Sequence, residues 1–308
     1  MENFTREIYG FLESCGLYIY KVRSGDGFES VSVKPMIRET PRPILLLGIV
    51  AESPKDAYTQ QIGATEEASW LHRETGHYPL IVTEDRWRRQ NEAMRQRILS
   101  HFDIFTQIYA RNCEIKRIDK NTAQAFLEQN HSYADAACRY RYGIFLKRHT
   151  GHNALIAGST TSLPAQTGTS PLPSGTLVAV ATFSNARKWI KGDKTIRSYE
   201  WTRYASLPGV RLSGGMGKVL KTFIKEVYPD DIMTYADLEW SEGNVYEQLG
   251  FTCEGTRPAV SFIIDQSDWS RTPMSSKATA AVDMPPPARR FFQNFGSNKY
   301  RLKLTDYQ

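Results

Sequence analysis

The chain has few cysteines, no long apolar run and no strong excess of one charge. Cys15, Cys113, Cys138 and Cys253 are its four thiols, and no two stand in a CxxC pair. That spacing argues against a disulfide framework or a zinc site and fits a reducing compartment. No apolar stretch is long enough to cross a bilayer, and no basic-then-apolar leader opens the chain. Neither a membrane span nor a secretion signal is therefore expected, and the expected location is cytoplasmic. A net charge of +6 and a pI near 9.0 suit nucleic acid or a phosphate-bearing small molecule, and decide between neither. Hydrophobic content of 41% and a length of 308 residues suit two ordinary globular domains.

What is present concentrates in residues 211–255. Gly214, Gly215 and Gly217 form a turn that can wrap an anion closely. A helix follows from about Gly217: Val219, Leu220, Phe223, Ile224 and Val227 share one face, and Lys218, Lys221, Lys225 and Glu226 the other. Pro229 ends it, 232–236 is β-rich, and 243–250 reads as a short helix closed by Gly250. A glycine turn opening a helix offers free N–H groups to a phosphate.

Glu200 on a polar strand, then the glycine helix, then a strand, then Asn244-Val245-Tyr246-Glu247-Gln248-Leu249-Gly250 resemble the acyl-CoA-binding core of the GNAT acyltransferases. The resemblance implies that loop amides around Gly214, Gly215, Met216, Gly217 and Lys218, with Arg211 and Asn244, hold an acetyl-CoA or related acyl-CoA. It implies that Tyr246 protonates the departing thiolate. The motif departs from the family's pattern at its opening residue: either Leu212 stands where Gln or Arg is usual, or Met216 replaces the second glycine.

Ile108-Tyr109-Ala110-Arg111-Asn112-Cys113, Asn130-His131, Tyr199-Glu200-Trp201-Thr202-Arg203 and Thr234-Tyr235-Ala236-Asp237 look like the C-terminal region of phage homing-endonuclease-like proteins. More distantly they are similar to the Mom DNA-modification proteins. The positions matching those families' polar residues are His131, Glu200, Arg203, Asp237 and Tyr246. Glu200, Asp237 and His131 become the acid–base candidates, His131 being also open to substrate contact or metal ligation. DNA is the partner this resemblance implies, with Arg203 as a contact. Alternation on the strand puts Glu200 and Thr202 on one face and Arg203 on the other.

The first segment, 1–106, reads as a small α/β domain. Residues 4–17 are helical, 44–50 a buried strand, 64–73 a helix, 78–82 a second strand, and 86–102 one strongly basic helix. Its close, Leu80-Ile81-Val82-Thr83-Glu84-Asp85-Arg86-Trp87, is similar to that of a Vsr-like nuclease domain. The metal-holding carboxylates such a nuclease needs have no recognisable spacing here, so a degenerate, non-cutting domain is expected and no metal ligand is assigned. Arg88 and Arg89 in the basic helix could meet DNA phosphates or form a solvated face. Arg139 and Arg141, among Tyr133, Tyr140 and Tyr142, could flank stacked bases or sit on a filled sheet face.

Residues 149–176 lack a hydrophobic period and read as a mobile insertion; 266–287 read as a linker, and 291–304 as a basic, aromatic last strand or tail. The expected architecture is α/β (α+β): a GNAT-like mixed central sheet flanked by helices over 107–308, after the smaller domain. The expected function is acyl-CoA-dependent transfer to DNA bases. Two alternatives stay open: a DNA-binding protein whose second domain lacks catalysis, and a small-molecule or protein N-acetyltransferase.

Overall fold

The computed structural model describes residues 1–35, 40–148, 171–274 and 289–307. The described residues form a mixed α/β fold built on four sheets. Most of the insertion read over 149–176, and most of the linker read over 266–287, fall outside the described residues.

Helix α1 (Glu2–Ser14) forms because Phe4, Ile8 and Leu12 recur on one face, which is buried. It is followed by strands β1 (Leu17–Gly25), β2 (Phe28–Pro35) and β3 (Arg42–Leu47), then α2 (Pro54–Thr75) and β4 (Leu80–Thr83). The β1–β2 hairpin, unread in the sequence, turns at Asp26-Gly27, where Gly27 takes a φ of 72°. The sheet order is β1-β2-β3-β4, antiparallel except for the β3/β4 pair that α2 connects. α2 is longer than 64–73 because Ser53 accepts a hydrogen bond from the Asp56 amide, Pro54 opens the first turn, and left-handed Gly76 closes the last.

The basic stretch after β4 is two helices, α3 (Glu84–Arg89) and α4 (Asn91–His101), broken at Gln90. This corrects the single helix read over 86–102. β5 (Thr106–Tyr109), a 3₁₀ turn at Ala110–Asn112, β6 (Cys113–Arg117) and α5 (Lys120–Asn130) lead into β7 (Tyr140–Leu146). β8 (Leu177–Phe183), β9 (Arg187–Lys191), β10 (Lys194–Ser206) and β11 (Val210–Ser213) precede α6 (Gly215–Val227). Then come β12 (Asp231–Asp237), α7 (Asn244–Gln248), β13 (Thr252–Arg257), β14 (Ser261–Asp265), β15 (Ser270–Pro273), β16 (Arg289–Gln293) and β17 (Ser297–Lys303).

The large sheet runs β13-β17-β12-β10-β8-β7-β6, with β9 added to β10. Its pairs are antiparallel except β10 with β12. α6 packs on it through Val219, Leu220 and Phe223; the Phe223 ring stacks on Phe183 at 3.9 Å, ringed edge-on by Tyr140, Tyr142 and Tyr199. Tyr140 and Tyr142 thus fill the sheet face, and Tyr142 gives its hydroxyl to Glu226 at 2.8 Å.

β14 and β13, adjacent in sequence, belong to different sheets. β14, β15 and β16 form a three-stranded sheet that packs back on the first segment: Phe262, Ile264 and Phe292 share a core with Leu45, Leu47, Ile81, Ala64 and Ala68. Residues 270–273, read as linker, are strand β15.

Candidate active site

The parallel pair β10/β12 hydrogen-bonds only from Ser198–Asp231 to Glu200–Met233. Beyond that point β10 stays with β8 and β12 with β17, so the two strands part and expose their facing edges. Thr234 spans the start of the split, donating to the Trp201 carbonyl at 3.1 Å. A cavity of about 1440 Å³ occupies the opening, at the carboxyl ends of these strands. That is where the crevices of open α/β sheets take ligands.

One wall is the start of α6. Gly214 holds a φ of 76°, and among the described residues no side chain caps the helix. The first-turn amides of Gly215, Met216 and Gly217 are left for an external acceptor, with the positive helix end behind them. Gly214, Met216 and Gly217 line the cavity. The short parallel ladder of β11 with β5 fixes where α6 begins. Gly215 itself is structural: a Cβ there would lie 2.6 Å from Leu212 and 2.7 Å from the Tyr204 hydroxyl.

The other nominated donor residues divide. Arg211 lines the cavity, with its side chain 62% exposed, 3.8 Å from Asp103. Lys218 points away, giving its ammonium to the Ala110 and Cys113 carbonyls at 2.9 and 2.5 Å, where it ties α6 to β6. Asn244 is exposed at the start of α7, outside the cavity lining. Tyr246 does line the cavity, with its ring against Trp201, Phe251 and Tyr300. Burial raises its pKa, which keeps the phenol protonated.

Glu200, Arg203, His131 and Asp237 all line the cavity. The alternation argument failed at Arg203 because β10 bulges between Trp201 and Arg203, a register shift that brings Glu200 and Arg203 to the same opening. Arg203 donates to the Ala134 and Thr202 carbonyls at 3.1 and 2.8 Å. His131 ends α5, and its Nδ1 accepts the Tyr133 amide at 3.1 Å, which leaves the ring proton on Nε2. Burial, with Arg203 and Arg86 nearby, lowers its pKa to about 3. His131 is thus a neutral donor, ill suited to serve as a general base near neutral pH.

Asp237 ends β12, and its carboxylate accepts the Tyr133 hydroxyl at 2.7 Å and the Glu239 amide at 3.0 Å. Burial, then the neighbouring Glu239, raises its pKa, while Arg86 Nη2 at 3.5 Å works the other way. The cavity thus combines a carboxyl of raised pKa, a neutral imidazole donor and a protonated phenol. That is a set able to accept and deliver protons.

Arg86 comes from α3 and, with Arg271 of β15, closes a buried network the sequence did not reveal. Arg86 Nε donates to Glu239 at 3.3 Å, and its guanidinium lies 5.1 Å from the Tyr133 ring. Arg271 gives Nη1 and Nη2 to Glu239 at 2.8 and 3.0 Å, Nη2 to Asp85 at 3.0 Å and to Thr83 at 2.9 Å, and Nε to Asp85. These cations pull the Glu239 pKa down to about 2 against the opposing effect of burial. Arg97 of α4 holds the next turn through the Glu239 and Trp240 carbonyls at 2.9 and 2.8 Å. Two arginines of the basic stretch are therefore structural: Arg86 and Arg97 brace the turn that follows Asp237, while Arg89 and Arg95 are exposed.

The nominated DNA contacts are mostly engaged. Arg88 pairs with Glu7 at 2.5 Å and with Glu84 at 3.6 Å; Arg89 lies 3.7 Å from Asp268. Arg141 donates to the Cys138 carbonyl at 2.8 Å, and Arg139 is exposed, 5.9 Å from the Tyr140 ring. In the first segment, Glu29 of β2 accepts the Tyr9 hydroxyl. Among the described residues no three His, Cys, Asp or Glu side chains are grouped so as to hold a metal ion, and no helix is long and apolar enough to cross a membrane.

No protein-family model matches the chain, and no curated protein matches its sequence.

Proposed function

We propose that the chain is an acyl-CoA-dependent transferase acting at the split between β10 and β12. The observation that carries this reading is the uncapped start of α6 set beside that split, so that one cavity joins an anion-binding helix end to a proton-transfer set. The residues suit the group: Gly215, Met216 and Gly217 would take its pyrophosphate through their amides, and Arg211 would flank it. Gly214 leaves the approach open, since a Cβ there would meet only Ala110 at 3.6 Å. When bound, the acyl-CoA supplies an activated acyl thioester. Tyr246 holds a proton for the sulfur side of the cavity. Asp237 and Glu200 can take the proton that an acceptor amine gives up, and His131 Nε2–H can orient that acceptor. DNA bases stand as acceptors only through the resemblance, because most nominated arginines are engaged.

The test is acetyl-CoA binding by calorimetry to wild type and Gly217→Asp. An acid at the third helical position caps the same amides and favours the helix start, so the fold is kept while the anion is repelled. The new Cβ needs only a small shift of Leu249 Cδ2, 3.2 Å away. Micromolar binding weakened at least tenfold by the substitution supports the reading. Absence of binding to wild type refutes it.

A further inference from the structure

One side of the cavity carries a cation that neither the donor site nor the buried network uses. Arg257, the last residue of β13, is exposed and lines the cavity. Its guanidinium carbon sits 4.1 Å from the Tyr235 ring centroid, and Nη2 donates to the Tyr235 hydroxyl at 2.7 Å. The cation–π contact and that one bond hold the guanidinium fork in place. Among the described residues no carboxylate pairs with Arg257, whereas Arg301 and Lys299 on the neighbouring strand both bind Glu254.

The register sets where this fork stands. Asp237 of β12 and Arg257 of β13 both pair with Ser297 of β17, so the three form one row across the sheet and share a face. Two strand spacings separate the ends of that row by about 10 Å. Tyr235, two residues before Asp237, lies on the same face. Its hydroxyl accepts from Arg257 and still has its own proton to donate toward the cavity. Asp237 and the Arg257–Tyr235 pair therefore face one space from either end of a row, on β12 and β13 rather than at α6.

We propose that Arg257 and Tyr235 form an anion subsite for the acceptor, so that the acceptor is a small molecule with an amino group at one end and a phosphate or carboxylate at the other. This deepens the transferase reading and rests on it for the word acceptor; the anion subsite itself stands on the geometry above. With the amine beside Asp237, the anion lies several ångströms away, against the Arg257 guanidinium and the Tyr235 hydroxyl. Nη2 gives one proton to Tyr235 and keeps a second, and that proton with the N–H beside it on the same edge of the planar guanidinium matches either oxyanion in a bidentate fashion.

The experiment follows the Arg257 Nε–H resonance of the full chain by ¹⁵N NMR while inorganic phosphate or sodium acetate is added. The expected result is a saturable shift of that resonance and of the backbone amide of Ser297, which stands between Asp237 and Arg257 in the row, with the anion affinity read from the Ser297 amide at least tenfold weaker in Arg257→Ala. Tighter phosphate than acetate assigns a phosphorylated acceptor, and the reverse order a carboxylated one. Phosphate bound at α6 instead would move the Gly215–Gly217 amides and survive Arg257→Ala. A resonance that neither anion moves, or equal affinity in Arg257→Ala, overturns the proposal. Acetyl-CoA binding, measured on the same two proteins, is expected to be unchanged by Arg257→Ala. Failure of acetyl-CoA to bind wild type while Arg257 still takes the anion would refute the transferase reading and leave the subsite standing.

Discussion

Arg271→Met tests the buried network most severely. Arg271 joins β15 to the end of β4 and to the turn after β12, with its guanidinium shared between Asp85 and Glu239, each 2% exposed. The substitution keeps the packing on Phe292, whose ring lies 4.4 Å from the guanidinium, but removes the charge. Glu239 keeps Arg86 at 3.3 Å, while Asp85 loses the guanidinium of Arg271. Removing one side of a buried pair costs about 3–5 kcal/mol. Because Glu239 stays partly compensated, we expect about 4 kcal/mol at pH 7, close to a thousandfold in the folding equilibrium. Urea unfolding followed by both far-UV circular dichroism and tryptophan fluorescence measures this. The sign with pH adds a second check. The Glu239 pKa is about 2 when folded against 4.5 as a free side chain, so its contribution is present above pH 4.5 and is lost as pH falls toward 2. The gap between wild type and variant should therefore narrow below pH 4.5. A loss under about 1 kcal/mol at pH 7, the size of a surface pair, would show that the network is not a buried, mutually dependent one.

Further outcomes follow from single residues. His131 and His101 have pKa values lowered by burial to about 3 and about 4, against 6.5 when unfolded. The unfolded chain takes up these protons first, so stability should fall by about 2 kcal/mol per pH unit between pH 6 and 5. His131→Asn should roughly halve that slope in urea midpoints, and a flat profile would contradict the burial argument. Tyr133→Phe deletes the 2.7 Å bond to Asp237 and should cost about 1 kcal/mol. It should also raise the Asp237 titration midpoint followed by ¹³C NMR, since that bond favours the charged carboxylate. Gly296 has a φ of 77°, and a Cβ there would run into the Arg257 carbonyl, so Gly296→Ala should lower stability by about 2 kcal/mol or more in the same assay.

Periodicity read the elements whose burial is one-sided. α6 was legible because Val219, Leu220 and Phe223 make a complete apolar stripe, and β12 because its residues are β-rich and mostly buried. β1 was not, because beyond Leu17 it is largely exposed at the edge of its sheet. β15 was not, because four residues of mixed polarity leave no period to detect. Arg203 was misplaced by a bulge, which alternation cannot anticipate. For the site, Glu200, Asp237, Tyr246 and His131 do converge on one cavity, while Lys218 and Asn244 do not line it. The buried carboxylates and arginines were hidden for a different reason. Arg86, Glu239 and Arg271 lie far apart in sequence, and each alone looks like an ordinary surface charge. Only the docking of β14–β16 on the first segment makes them one network. The pairing of Asp85-Arg86 in a charged run was the available signal, and composition alone read it as a face of the helix.

A crystal structure of the chain grown with coenzyme A tests directly whether the start of α6 and the split between β10 and β12 form one acyl-CoA site. The pyrophosphate is expected on the Gly215, Met216 and Gly217 amides and the pantetheine thiol in the split, on the Tyr246 side. Coenzyme A bound elsewhere, or that cavity filled by solvent alone at saturating coenzyme A, would contradict it.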